Sequence, residues 1–299
     1  MASLKIIRKR ISSTKSTQKI TRAMKMVAGA RLTRAQQRIT AMRPYAVKTG
    51  DVLRAVAQTM RAEGDCEAPH PLLARRPEKK ALYLVVSSDR GLCGALNTNV
   101  NKATERAWRE KESLGVSVSF ATLGRKGREY LARRHGVIAQ DFPKIFEGLD
   151  LDKARLVARW LVPRFVRGEV DSVYIVFSEF CSAITQKPVL AQLLPLGGES
   201  DGHAGATEGK NAPSEYLYEP NQGALLERLV PMYLEITLLR AMLDSQASFF
   251  GAQMTAMDAA TRNAKEMIAN LTLMFNRARQ AAITTELTEI VSGAEALKD

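Results

Sequence analysis

From Met232 to Ala296 the chain carries no proline and only two glycines, Gly251 and Gly293. Steps of four and three, taken alternately from Ile236, land on Ile236, Arg240, Leu243, Ala247, Phe250, Met254, Met257, Thr261, Ala264, Ile268, Leu271, Phe275, Ala278 and Ala282. A repeat averaging about 3.5 residues, held over so many turns, specifies a helix supercoiled against a partner helix. At about 1.5 Å per residue that helix is roughly 100 Å long. A globular core built from a chain of this size is only about 40 Å across, so the helix is expected to project from it. The seam mixes large apolar residues with Ala247, Thr261, Ala264 and Ala278, and it carries one Arg240. Small positions let two backbones approach closely, while each buried Leu, Ile, Phe or Met contributes about 1.5–3 kcal/mol.

The natural partner is the N-terminal segment, which reads as helical from Leu4 to about Gln58. Leu4, Ile7 and Ile11 share a face, and Ile20, Met24, Val27, Ala30 and Arg31 resume it; Ser12 to Lys19 offers nothing apolar between them. Pro44 is expected to end or kink the helix near Arg43. Gly29 costs about 1 kcal/mol against alanine unless a close approach needs it. Running antiparallel, the two helices bring both chain ends to one tip, with the last turns of the longer C-terminal helix extending past the first.

Charge is concentrated in the same place. The formal excess is +13, and between Lys5 and Lys48 thirteen basic residues occur with no Asp or Glu; elsewhere the remaining basic residues equal the 31 acidic ones. Such a stripe either tracks nucleic-acid phosphates or faces an acidic protein surface. The segment holds a single aromatic, Tyr45, so base stacking is nearly unavailable, and Met24, Met26 and Val27 interrupt the stripe. Two functional classes follow: a mechanical or scaffolding subunit whose two-helix rod inserts into partners, and, as the alternative, a basic coiled-coil nucleic-acid-binding protein.

Between the helices the period changes. Arg61 to Lys80 reads as a linker with Gly64, Pro69, Pro71 and Pro77. Ala81 to Val86 is a continuous apolar strand of the kind buried on both faces of a parallel sheet. A turn, Ser87 to Gly94, leads into a helix through Asn101 to Leu114. Strand Val116–Leu123, helix Arg125–His135, helix Leu151–Val166 broken by Pro163, strand Val173–Phe180 and a hairpin partner Pro188–Leu194 complete an α/β pattern. The glycine-rich polar stretch 197–214 reads as a mobile surface insertion, after which the long helix starts near Gln222. The domain reading is thus an N-terminal coiled-coil helix over 1–60, a central α/β domain over 78–196, the insertion, and a C-terminal coiled-coil helix over 222–297.

Several chemistries find no support. Three dispersed cysteines (Cys66, Cys93, Cys181) and three dispersed histidines (His70, His135, His203) form no metal-ligand spacing. The turn at Asp89–Gly94 lacks both the third glycine of a dinucleotide fingerprint and the Gly-Lys-Ser/Thr of a phosphate loop. Glu286 and Glu289 are spaced as neighbours on a helix surface. No apolar run reaches the roughly eighteen residues of a membrane span, and the start lacks a secretory signal. The chain reads as non-catalytic, without cofactor or metal.

Thr17-Gln18-Lys19-Ile20-Thr21-Arg22-Ala23-Met24-Lys25-Met26-Val27-Ala28 resembles the N-terminal signature of the ATP synthase gamma subunit family. The turn Ser88-Asp89-Arg90-Gly91-Leu92-Cys93-Gly94, the segment Met254–Thr261 and the terminal block Asn276–Ala294 are similar to that family's as well, so the resemblance spans the chain. It implies a long antiparallel coiled coil of the terminal helices plus a central Rossmann-like α/β domain. It implies the central-stalk rotor that couples proton-driven c-ring rotation to ATP synthesis, or reverse hydrolysis, in a ring of alpha and beta subunits. Implied partners are the alpha, beta and epsilon subunits, the membrane c-ring and, as a further option, an inhibitory subunit, with no nucleic acid. Met24 and Lys25 match the position where the shaft passes an acidic beta segment. Arg279 and Gln280 match a pair hydrogen-bonding a beta loop, Thr284 lies one turn beyond, and Tyr216 and Tyr218 resemble the foot segment facing the c-ring. The insertion has no cysteine, so the dithiol switch of chloroplast relatives is not expected. Because the resemblance starts at the first residues, the acid-free beginning is not read as a transit peptide, and a bacterial protein on the cytoplasmic face of the inner membrane is the expected setting.

Overall fold

A computed structural model of the chain describes residues 4–62, 70–196 and 222–296. The expectations for the insertion at 197–214 and for Tyr216 and Tyr218 lie outside those residues. The chain forms two compact units, Met1–Gly29 with Gln253–Asp299, and Ala30–Ala252. The terminal helices, α1 (Leu4–Ala62) and α5 (Gln222–Ala296), each contribute to both.

The larger unit is organised on β1 (Lys80–Val86), whose six residues after Lys80 are all buried. Such a run cannot be an edge strand, and it sits at the centre of a five-stranded sheet ordered β3-β2-β1-β4-β5. Its neighbours β2 (Ser117–Leu123) and β4 (Ser172–Phe180) run parallel to it, in registers that place Tyr83 opposite both Phe120 and Tyr174. β3 (Ile138–Phe142) is parallel to β2, and β5 (Gln186–Leu194) closes the other edge as the antiparallel partner of β4. Helices α2 (Leu96–Ser113) and α3 (Arg125–Ala132) cover one face, through Val100, Ala107 and Leu131 against Tyr83, Val85 and Phe120. The other face packs against α4 (Leu151–Val166) and against α1 and α5. There Leu82, Leu84 and Val86 meet Val157, Leu161, Leu53, Val56, Leu234 and Leu238. Helices on both faces of a mostly parallel sheet are the doubly wound arrangement.

The structure departs from the sequence reading in four places. Pro44 and Pro163 lie inside α1 and α4 without ending them. Both are exposed, so a carbonyl deprived of its intrahelical donor faces water, the side on which helices tolerate such losses. Strand β3 went unread because its five residues, Ile-Ala-Gln-Asp-Phe, are neither alternating nor β-branched throughout. The linker contains a short 3₁₀ turn, Pro71–Leu73, whose Leu72 and Leu73 are buried in the core. The fourth departure concerns α1. Ile20 is 59% and Val27 52% exposed, and Ala30 and Arg31 are exposed too. Of the expected face, only Leu4, Ile7, Ile11 and Met24 are shielded.

Candidate partner-binding surface on the paired helices

Within the smaller unit the helices run antiparallel, as three contacts fix. The Thr21 and Thr261 hydroxyls are hydrogen-bonded at 2.9 Å, Lys25 Nζ reaches Asp258 Oδ1, and Thr14 Oγ1 lies 3.9 Å from Met267 Sδ. In each pair an increase along α1 is a decrease along α5. On α5 from Arg262 to Gly293 the only side chains shielded from solvent are Ala264, Ile268, Leu271, Phe275, Ala278 and Ala282. These are the members of the sequence repeat over that stretch, and no other residue intrudes. On α1 the shielded set is Leu4, Ile7, Ile11, Thr14, Gln18, Thr21, Met24, Lys25 and Ala28. The period is the same, but three consecutive positions are polar. The segment Ser12–Lys19 is therefore no gap: Thr14 and Gln18 carry the seam through it. Short hydroxyl side chains suit this, because Thr21 and Thr261 satisfy one another where unpaired groups would cost desolvation.

With the polar residues turned inward, apolar ones are turned out. Ile6, Ile20, Met26 and Val27 on α1, and Met267, Leu273 and Met274 on α5, are exposed. Beyond Ala282 no side chain up to Gly293 is shielded, and Ile283, Leu287, Ile290 and Val291 lie open along the final turns. The exposed surface is also strongly basic: over residues 4–29 and 253–293 twelve Lys and Arg face four Asp and Glu. A surface combining large exposed apolar groups with one sign of charge is one built to be covered by a partner of the opposite sign.

The sequence-predicted residues fall on this unit as follows. Met24 and Lys25 are half-buried beside the seam, and Lys25 is paired with Asp258. Arg279 and Gln280 are fully outside it, and Arg279 has no anionic partner among the described residues. Thr284 is exposed, its hydroxyl donating to the Gln280 carbonyl at 3.0 Å. The fold thus groups Met24 with Lys25 and Arg279 with Gln280 and Thr284 at separate levels of the helix pair. Asp258 escaped the sequence reading. The signal for it was its place three residues before Thr261, on the turn that faces Lys25. The Lys25 ammonium holds its carboxyl below the usual carboxylate range, outweighing a small opposing effect of desolvation.

A second concavity lies in the larger unit, a cleft of about 160 Å³ where β1 and β4 end and α2 begins. In doubly wound sheets this reversal of strand order is where ligands collect. Here several of its polar groups are engaged within the chain. Ser87 Oγ accepts from the Gly127 amide at 2.7 Å and Asp89 Oδ1 from the Arg125 amide at 3.1 Å. Asn97 Oδ1 accepts from the Ser88 amide and Ser245 Oγ from the Ser178 amide. Cys93 is buried, and burial pushes its thiol up, away from the reactive thiolate. Among the described residues no cluster of His, Cys, Asp or Glu could hold a metal ion, and no helix is long and apolar enough to cross a membrane.

Comparison with known proteins gives a consistent result. The family model described as ATP synthase matches residues 3–297. The ATP synthase gamma chain of Sorangium cellulosum (strain So ce56) is 52% identical, and that of Geotalea uraniireducens (strain Rf4) 49%, each over the full length of both chains. Among solved structures, a chain of the Euglena gracilis mitochondrial ATP synthase OSCP/F1/c-ring is similar with a TM-score of 0.64 and 19% identity, covering 98% of this chain and 94% of that one. A chain of the Tetrahymena thermophila mitochondrial ATP synthase central stalk and c-ring gives 0.61 and 20% identity, covering 81% and 99%. At those identities the structures speak to the fold.

Proposed function

Because this chain belongs to the ATP synthase gamma family, we propose that it is the central-stalk rotor subunit and that the paired terminal helices are the turning shaft. The shaft does no chemistry. It carries torque between the proton-driven c-ring and the catalytic ring of alpha and beta subunits, in the direction of synthesis or of hydrolysis. The observation that supports this reading most is the exposed face of the helix pair. It is basic by twelve residues to four and studded with uncovered Ile, Leu, Met and Val, a surface that needs acidic and apolar surroundings.

Residue by residue, Met24 and Lys25 face the acidic beta segment. Arg279 and Gln280 engage a beta loop, with Thr284 one turn beyond, and Tyr216 and Tyr218 face the c-ring at the foot. Epsilon docks on the α/β domain, and the whole is a peripheral subunit on the cytoplasmic face of a bacterial inner membrane. The nucleic-acid alternative finds no support in the fold or in the relatives.

The test is to image the purified membrane complex at low resolution with this chain carrying a small density label at the β4–β5 turn. Label density at the central axis between the membrane ring and the catalytic ring is the expected result. A peripheral position, a substoichiometric presence, or ATP hydrolysis by the isolated chain would overturn the reading.

A further inference from the structure

Eight basic residues lie on α1 from Lys5 to Lys25. The seven from Lys5 to Arg22 are exposed and have no anionic partner among the described residues. Lys25 differs. Its ammonium is held by Asp258 Oδ1 across the helix pair, while Asp258 Oδ2 lies 3.6 Å from Arg262 Nη2 on its own helix. One carboxylate therefore stands between two cations in the middle of an otherwise uncompensated basic face. The lysine side chain is 44% and the aspartate 36% exposed, so the pair is open to other ions and is screened by water.

Stability of the helix pair does not explain the arrangement. The seam beside it is closed by Thr21 with Thr261 and by Met257, Ala28 and Ala264, and an exposed pair adds little to that. We propose that Asp258 is an internal counter-ion, competing for the Lys25 ammonium with carboxylates of the acidic protein surface that covers this face. The inference rests on the reading of that face as partner-binding. The physical basis is simple. An ammonium on a flexible four-carbon stem rotates between acceptors at little cost, and exposed side chains change rotamer in picoseconds to nanoseconds. Lys25 is then handed to a passing carboxylate and taken back when it leaves, which keeps its hold on the partner shallow. The seven other cations have no such internal acceptor and meet the partner with full charge.

The competition can be read directly in the assembled complex by carbodiimide coupling, which condenses a lysine amine and a carboxylate to an amide with loss of water. Coupled peptides are quantified by mass spectrometry. In the native complex Lys25 is expected both in an intrachain product with Asp258 and in a product with partner carboxylates. Asp258→Asn removes the internal negative charge without changing shape, leaving only a neutral amide oxygen to face the ammonium, and the Lys25–partner product is expected to rise about two- to fivefold. Asp258→Glu restores the internal acceptor and should return the yield towards the native value. Lys25→Arg, which the reagent does not couple, identifies the lysine responsible. Equal partner yields in the native and Asp258→Asn complexes would sink the competition while leaving the partner-binding face intact. Absence of any Lys25–partner product in both complexes, with the chain present in stoichiometric amount, would sink the reading of that face and the inference with it.

Discussion

Gly29 offers a test in which the structure decides a sign that sequence alone leaves open. It lies inside α1, in the smaller unit, where glycine is destabilising unless another backbone must come close. A Cβ built at this position meets a single atom within 4 Å, Met254 Sδ at 3.4 Å. That is an ordinary contact with a flexible side chain, and Gly29 is not among the residues with positive φ. Close approach is therefore not the reason for the glycine. Gly29→Ala recovers an interior-helix cost of about 0.5–1 kcal/mol, and the new contact adds only about 0.1–0.2 kcal/mol. The net gain of about 0.5–1 kcal/mol corresponds to a two- to fivefold change in an opening equilibrium. Hydrogen exchange followed by mass spectrometry is the suitable assay because it reports each unit separately. Amides of residues 4–29 and 253–282 should exchange about two- to fivefold more slowly in Gly29→Ala, while those of β1, β2 and β4 are unchanged. Faster exchange in the helix pair would refute the reasoning, for it would mean that Met254 cannot yield and that the glycine does serve close packing.

Gly124→Ala is expected to go the other way: with φ at 100° and a Cβ position 2.2 Å from the Ser87 carbonyl oxygen, it should cost about 3 kcal/mol or more, seen as an earlier urea transition of the α/β unit. Asp244 gives a pH signature. Burial pushes its carboxyl from 3.8 up to about 6, with Arg240 opposing and Glu179 reinforcing the shift. Between those values the native chain holds a proton that the unfolded chain has released, so stability falls as pH rises through that window and levels off above it. Asp244→Asn should abolish this slope and be the more stable form at pH 8, as measured by urea midpoints across the range; an unchanged slope would assign it to other groups. Replacing Arg279 and Gln280 together by alanine should lower ATPase turnover of the assembled complex without preventing assembly, since both are exposed and carry no part of the seam. Unchanged turnover would remove them from the coupling contact.

What could be read from sequence follows what each signal depends on. The α5 repeat from Met254 to Ala282 was legible because its shielded positions are mostly apolar or small and its exposed ones mostly polar. The matching face of α1 was misread because hydrophobicity points the wrong way there. Thr14, Gln18 and Thr21 are inward while Ile20 and Val27 are outward, and only the heptad spacing carried over from Ile7 and Ile11 would have placed them. β1, β2 and β4 were found with ends within a residue or so: β1 is a continuous apolar run, β4 holds one over Val173–Phe177, and β2 sets Val118, Phe120 and Leu123 among small residues; β3, with Ala139, Gln140 and Asp141 in its centre, had no pattern to find. The break expected at Pro163 did not occur, and the helix read through Pro44 is continuous; both rings face water. Asp258 was missed in another way: its place three residues before Thr261 becomes a signal only once the antiparallel register is known, because its ion-pair partner lies 233 residues away in sequence.

The uncovered turns at the C-terminal end of α5 bear on how the molecule is handled before it is assembled. A lone helical stretch of a dozen or so residues sits near the limit of what hydrogen bonding can hold in water, and from Ile283 to Gly293 every side chain is exposed. In the free subunit these turns should fray and offer proteases an easy first cut, one that a partner covering them as proposed above would prevent. Intactness of residues 283–293 would then serve as a gauge of how much of a preparation has been incorporated.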